Sequence, residues 1–242
     1  MTSEEYRRRI EGFRRENDRA GAIRLCREEE RRCREEGDLD GLATALNELS
    51  YELPDKEARE VFDDLRELRK ALAQNDFRTY GEDYALLLHR KSYSWAHDVD
   101  EAIACQEEAI DIYKQLGLYD ERGFDIGDED AFGYLGKLYC FKGSYTLGIG
   151  YTTTALKRAL QTNDNDFLIG QYYRRLGVAH LSLNESDAAR DCIQKALKHF
   201  TRAERADPDP YTFPGVLESC RRLLKECDGR TLPEKDYEQW LI

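Results

Sequence analysis

The sequence has little proline and no long apolar segment. Only 5 of its 242 residues are proline, and proline inside a helix removes a hydrogen bond and kinks or ends the helix. No apolar run approaches the roughly 20 residues that a membrane-spanning helix needs. The apolar core of a secretory signal is also missing from the first ten residues, MTSEEYRRRI. We therefore expect a helix-rich protein that does not bind or span a membrane.

Positive charges are fewer than negative ones. Lys and Arg number 37 against 49 Asp and Glu, which gives a net charge of −12. This balance argues against general binding of nucleic acids or anionic membranes, since a phosphate backbone is held by clustered Lys and Arg. Charged residues make up 36% of the chain and aromatic residues 11%. That combination is typical of a thin helical solenoid, where nearly every helix keeps one face in water, and not of a disordered chain.

The 7 cysteines show neither a metal-binding nor a disulfide pattern. Cys26 and Cys33 are seven residues apart, and so are Cys220 and Cys227. Seven residues are two helical turns, so each pair lies on one face of a helix, where cysteine packs as a small hydrophobic residue. Buried free thiols indicate a reducing compartment, and we predict a cytoplasmic protein.

Motifs for catalysis, metals or phosphates are equally scarce. The 4 histidines form no H-E-x-x-H or C-x-x-C…H arrangement. No lysine follows Gly148 and Gly150, so we interpret them as helix-crossing glycines and not as a phosphate loop. The acidic segment 119–130 lacks the ligand spacing of a calcium-binding hand and is predicted to be a solvated loop, with Asp128 capping the next helix. Spacing alone leaves Ser-His-Asp and Cys-His sets open, but nothing nominates one, and we expect no enzyme activity, cofactor or metal.

A repeated spacing of large and small residues runs through the second half of the chain. Tyr173 is followed by Leu176 and Gly177, then twelve residues later by Ala189 and seven after that by Ala196. The same spacing recurs upstream in Phe132, Leu135, Gly136, Gly148 and Ala155. The large residues and the leucines would pack inside a helix pair, and the small ones would let two helices cross closely. This pattern resembles the tetratricopeptide repeat.

The resemblance implies an all-α fold, a right-handed α-solenoid of antiparallel helix pairs about five repeats long. Gly136 and Gly177 are 41 residues apart where the usual period is about 34, so these are long-helix variants similar to repeats of bacterial signalling proteins. The repeat domain is predicted at 1–204, and 205–242 would form C-terminal capping helices and a tail. The helix pairs are predicted at 3–36, 39–73, 77–116, 128–162 and 165–204. The cap would hold a helix at 215–227 and a short one after Pro233.

The third helix pair, 77–116, has an ambiguous register. Counting back from Ala102 places Arg90 at the small-residue position, whereas counting forward from Phe77 places Leu88 there. Neither residue is small, so we expect a looser crossing in this pair.

Several helix ends carry signals of their own. Asp98 and Glu101 form the pattern of a capping box, in which side chains satisfy the free N–H groups of a first turn. Gly37, Gly117 and Gly143 stand where helices should stop. These positions support the division into helix pairs.

The resemblance also implies a concave groove, lined by the first helix of each pair, that binds partner segments. It assigns to this groove Asn47, Tyr51, Tyr84, Lys91, Lys137, Phe141, Gln171 and Arg174. Lys91, Lys137 and Arg174 fall on three consecutive units, where they would receive a carboxylate terminus or an acidic segment through charge-assisted hydrogen bonds. The alternative is that these cations pair with neighbouring Asp and Glu on a mixed surface.

The sequence therefore favours a cytoplasmic, non-enzymatic module, an adaptor or sensor, that binds a protein or peptide in the groove. The alternative is a structural subunit of a homo-oligomer or of a fixed assembly. Its docking element would be the amphipathic tail with Tyr237, Trp240, Leu241 and Ile242, which either folds onto the last repeat or docks on another chain.

Overall fold

The computed structural model describes residues 3–95, 98–118, 125–126, 129–162, 165–208 and 212–229. Within these residues the chain forms 11 α-helices and one π-helical turn. Its contacts divide it into two compact units, residues 1–90 (unit 1) and residues 91–242 (unit 2). The all-α prediction is confirmed for the described part of the chain.

The described part of unit 1 consists of five helices, each packed on the next. They are α1 (Ser3–Arg15), α2 (Arg19–Glu36), α3 (Leu39–Glu52), α4 (Asp55–Asn75) and α5 (Phe77–Arg90). Its core contains Tyr6, Leu46, Leu49 and Phe62, which are almost inaccessible to solvent. Each helix thus buries one apolar stripe and leaves charged residues outside, as the composition predicts.

Unit 2 begins with the π-helical turn Lys91–Trp95 and continues with six described helices, each packed on the next. They are α6 (Val99–Gln115), α7 (Ala131–Phe141), α8 (Tyr145–Thr162), α9 (Asp166–Ser182), α10 (Ser186–Ala206) and α11 (Phe213–Cys227). Two short strands, β1 (Asp125–Ile126) and β2 (Glu129–Asp130), pair antiparallel before α7. A core of Val178, Ile193, Phe200, Leu217 and Leu223 joins α9, α10 and α11.

The predicted helix ends are confirmed. Gly37, Gly117 and Gly143 have φ angles of 71°, 71° and 83°, which glycine adopts at no steric cost and other residues rarely reach. The side chain of Asp98 accepts a hydrogen bond of 2.9 Å from the backbone N–H of Glu101, so α6 begins with the predicted cap.

Small residues stand at the closest approach of α7 and α8. A Cβ atom on Gly136 would lie 2.8 Å from the backbone nitrogen of Thr152 and 3.1 Å from the carbonyl oxygen of Gly148. Gly150, also on α8, faces open space, with nothing within 4 Å of such an atom. The prediction of a crossing glycine is therefore confirmed for Gly148 and wrong for Gly150, because Gly150 lies on another face of α8.

The remaining predictions about buried cysteines, helix starts and the C-terminal helices have different outcomes. Buried positions are confirmed for Cys26, Cys33, Cys220 and Cys227, which are at most 5% exposed. The helix predicted at 215–227 begins earlier, at Phe213, because Pro214 fits the first turn of a helix. The predicted cap by Asp128 and the helix after Pro233 lie outside the described residues.

The repeat domain boundary at 205, the number of repeats and the handedness of a solenoid stay predictions. The boundary between the compact units falls inside the third predicted pair, directly after Arg90. None of the described helices is both long and apolar enough to cross a membrane.

Candidate partner-binding sites

A cleft of about 410 Å³ in unit 2 lies between the π-helical turn, the start of α6, and α7. We name it the α6–α7 cleft. The residues that line it include Tyr93, Asp98, Ala102, Tyr134, Lys137 and Phe141. Its volume falls in the range of sites that hold a small molecule or one large side chain.

Buried polar contacts fix the π-helical turn that forms one wall of the cleft. The Ser92 hydroxyl donates a hydrogen bond of 3.1 Å to the side-chain oxygen of Gln106 on α6. The Tyr134 hydroxyl of α7 donates one of 3.0 Å to the Ser92 carbonyl, and Lys91 forms an ion pair of 2.6 Å with Glu101. These bonds hold Tyr93 in place on the π-helical turn, and π-helical turns often occur at functional sites.

Two aromatic rings of the cleft face solvent. Tyr93 is 68% exposed and Phe141 is 43% exposed, whereas Tyr134, whose ring centre is 5.6 Å from that of Tyr93, is buried. Lys137 and Asp98 add one charge of each sign. The arrangement suits an apolar side chain that inserts beside the rings while a polar neighbour meets the charges.

The groove residues predicted in unit 2 occupy different environments. Lys137 and Phe141 line the cleft, and Gln171 is half-buried. Lys91 is only 4% exposed and pairs with Glu101, and Arg174 is 6% exposed. Burial lowers the pKa of Arg174 from its usual value. Lys91 and Arg174 therefore offer almost no surface to a partner, and the three predicted cations do not form one exposed row.

The groove residues predicted in unit 1 also separate. Tyr84 is buried in the core, with 5% of its surface exposed. Asn47 is half-buried and Tyr51 is exposed, and both contact Arg90 at the end of α5. Arg90 thus brings Asn47 and Tyr51 together. In the sequence, Arg90 stood out only as a residue too large for the small-residue position of the repeat.

Arg90 is held by neutral partners. Its Nη1 donates a hydrogen bond of 2.9 Å to the Asn47 side-chain oxygen, and its Nη2 donates one of 2.8 Å to the Ser50 hydroxyl. The guanidinium carbon lies 3.7 Å from the ring centre of Tyr51 and 5.1 Å from that of Phe62. Burial lowers the pKa of Arg90, although a guanidinium stays protonated in proteins. Two rings and two oxygens therefore fix a partly desolvated cation.

A second and larger cavity, of about 850 Å³, lies where α9 begins and α10 ends. His199 Nδ1 lies 2.6 Å from a carboxylate oxygen of Asp166, and Arg202 Nη1 lies 4.0 Å from the same oxygen. Phe167 and Phe213 meet edge to face with ring centres 5.8 Å apart. No sequence pattern predicts this cavity, because Asp166 and His199 are 33 residues apart on different helices and no motif links them.

The described part of the chain offers weakly reactive thiols and no cluster of metal-binding side chains. All seven cysteines are free thiols, and burial raises the pKa of Cys26, Cys140, Cys192 and Cys220 to about 11. A thiol with that pKa is a poor nucleophile at neutral pH. Among the described side chains, no group of three His, Cys, Asp or Glu residues is placed to hold a metal ion.

Comparison with known proteins identifies a fold but no family. No protein-family model matches the sequence, and no curated protein matches it. The crystal structure of BtubC (BKLC) from P. vanneervenii is similar, with a TM-score of 0.53 and 16% sequence identity over 91% of this chain and 95% of that one. At this identity the similarity shows a shared helical fold and nothing more.

Proposed function

We propose that this chain is a non-enzymatic binding module, an adaptor or sensor, that holds a segment of a partner protein in the α6–α7 cleft. In this proposal the helix pairs are about five tetratricopeptide-like repeats, stacked as a right-handed α-solenoid in the cytoplasm. The closely packed glycines Gly136 and Gly148 support the repeat assignment, and the fold similarity to BtubC supports the helical fold that such repeats require.

One observation carries the proposal: two aromatic rings, Tyr93 and Phe141, stay exposed at the edge of a cleft whose wall is otherwise fixed. Exposed aromatic surface in a formed cleft is a favourable anchor, since full burial of one such side chain contributes about 1.5–3 kcal/mol. Lys137 and Asp98 would select the orientation of the partner segment, because a mismatched charge beside a buried anchor is costly.

The test is site-specific photo-cross-linking in the cells that express the protein. Benzoyl-phenylalanine replaces Tyr93 in one variant and Phe141 in another, and the control carries it at Leu147, which is 50% exposed on α8 and does not line the cleft. We expect one partner protein to cross-link from 93 and 141 and not from 147. Cross-linking to copies of the chain itself would instead support the homo-oligomer alternative.

The affinity of the purified partner then measures the site. The double change Tyr93→Ala with Phe141→Ala should weaken binding by at least about tenfold, as expected for two anchor residues. Leu147→Ala should change the dissociation constant by less than about twofold. Equal binding by all three proteins would place the interface elsewhere and refute the role of the cleft.

A further inference from the structure

The larger cavity of unit 2, of about 850 Å³, owes its space to small residues on one face of α10. We name it the α9–α10 cavity. The residues of α10 that line it are His199, Arg202, Ala203 and Ala206. They follow His199 at spacings of three, four and seven residues, so all four share one helix face. The two alanines leave room that larger side chains would fill.

The other walls of the cavity are mainly apolar. Their large side chains are Leu160, Phe167, Ile169 and Phe213. Leu160 is 47% exposed, so the cavity presents apolar surface to water that a ligand would cover. Small-molecule sites are typically clefts of roughly 300–1,000 Å³ with an apolar lining and a few polar groups that fix the orientation of the ligand. The α9–α10 cavity has these properties.

Two contacts fix the imidazole ring of His199 in the cavity. Its Nδ1 lies 2.6 Å from a carboxylate oxygen of Asp166, and the Tyr173 ring stacks on it with ring centres 5.6 Å apart. In a neutral imidazole the bond to the carboxylate places the proton on Nδ1 and leaves Nε2 as an acceptor. No donor to Nε2 occurs among the described residues. His199 therefore offers an oriented hydrogen-bond acceptor.

Arg202 supplies hydrogen-bond donors beside this acceptor. Its Nη1 lies 4.0 Å from the same oxygen of Asp166, and its side chain is 52% exposed. A hydroxyl group is complementary to the pair, because it can donate to Nε2 of His199 and accept from the guanidinium. A carboxylate is not, because it has no proton for Nε2 and would meet the negative charges of Asp166 and Asp207, which also line the cavity.

We propose that the α9–α10 cavity binds a small molecule with an aromatic body and a hydroxyl group. The aromatic body packs against Phe167 and Phe213, whose edge-to-face rings offer both a face and an edge to a further ring. The hydroxyl donates to His199 and accepts from Arg202. No residue that lines the α6–α7 cleft lines this cavity, so the site goes beyond the proposed function.

The test is a titration of the intact protein at pH 8 with three matched probes: 2-naphthol, 2-methoxynaphthalene and 2-naphthoate. NMR spectra follow the Cε1–Hε1 signals of the histidines, and His199→Phe identifies that of His199. His180 gives the internal control, since its Nδ1 also pairs with a carboxylate, that of Glu185 at 2.5 Å, but it does not line the cavity. We expect 2-naphthol to shift the His199 signal saturably and to bind at least about fivefold more tightly than the other two probes.

Two variants separate the space from the hydrogen bonds. Ala206→Leu places a larger side chain at an exposed position of the cavity wall and should weaken 2-naphthol binding at least about threefold. His199→Phe keeps a ring beside Tyr173 but removes the acceptor. In that variant, followed through the backbone amide of Phe213, 2-naphthol and 2-methoxynaphthalene should bind within about twofold of each other.

Three results would overturn the site. Equal affinities of the wild type for all three probes would show that no group recognises the hydroxyl, and His199 and His180 signals that move alike would show unspecific binding. Tighter binding of 2-naphthoate would make the cavity an anion site. N-acetyl-tyrosinamide serves as a fourth probe, and a higher affinity for it than for 2-naphthol would assign the cavity to a tyrosine side chain of a polypeptide and refute the small molecule.

Discussion

The α7–α8 pair and the third predicted pair differ in the residue at the small-residue position of the repeat pattern. In the first, Gly136 and Gly148 let two helix backbones approach, with the carbonyl oxygen of each 3.1 Å from the Cβ position of the other. In the third pair the position falls to Arg90 or Leu88, and the boundary between the compact units follows directly after Arg90. Glycine at this position serves packing, whereas the arginine side chain makes hydrogen bonds and a ring contact within unit 1.

Among the substitutions that test this difference, Gly136→Ala is expected to change the free energy of unfolding the most. The added Cβ would meet the backbone nitrogen of Thr152 at 2.8 Å, and a backbone atom yields only if the helix moves. We expect the free energy of unfolding to fall by about 2–3 kcal/mol, measured by urea denaturation with far-UV circular dichroism.

The matched control is Gly150→Ala on α8. It adds the same methyl group to a helix where nothing lies within 4 Å, so it should stabilise the protein by up to about 1 kcal/mol through helix propensity. A Gly136→Ala protein as stable as the wild type would show that the crossing is not close, and would remove the contrast with Arg90.

A smaller effect is expected from Gly177→Ala in the α9–α10 pair. Here the added Cβ meets the side chain of Ile193, whose Cγ1 would be 2.6 Å away, while the nearest backbone atom, the Ala189 oxygen, is at 3.3 Å. A side chain yields more easily than a backbone, so we expect a loss of about 1–2 kcal/mol.

Ile193→Val provides the test of that explanation. Alone it should cost about 0.5–1.5 kcal/mol, but combined with Gly177→Ala it should recover about 1 kcal/mol relative to additivity, because the shorter chain makes room. The same valine combined with Gly136→Ala should be additive. Additive losses in both double variants would contradict the role of the Ile193 side chain.

Local patterns predicted the helices, their ends and the close crossings, because periodicity, a capping carboxylate and a glycine act within a few residues. The environment of a charged side chain depends on partners far along the chain. Lys91 was predicted for a groove, yet it lies buried against Glu101 on the next helix. Arg90 was recognised only as too large for its position, and its hydrogen-bond partners Asn47 and Ser50 are 43 and 40 residues away. No spacing rule covers such contacts.

The smallest expected effect is a change in the pH dependence of the free energy of unfolding, which arises from the buried thiols of the two units. Unit 1 has one thiol whose pKa is raised to about 11, that of Cys26, whereas unit 2 has those of Cys140, Cys192 and Cys220. A pKa raised by folding means that the folded state keeps the proton after the unfolded state has lost it. The thiol contribution to stability is therefore complete below about pH 9 and declines as pH rises towards about 11.

Cys140→Ala isolates one of these contributions at the α7–α8 crossing. Between pH 8 and pH 10 the free energy of unfolding of the wild type should fall by about 1 kcal/mol for each such thiol, and that of the variant should fall by about 1 kcal/mol less. Denaturation midpoints at both pH values measure the difference, and Gly150→Ala, which leaves every thiol in place, should keep the wild-type pH dependence. If Cys140→Ala also keeps it, the Cys140 thiol is not desolvated, and the close packing of α7 on α8 around it is incorrect.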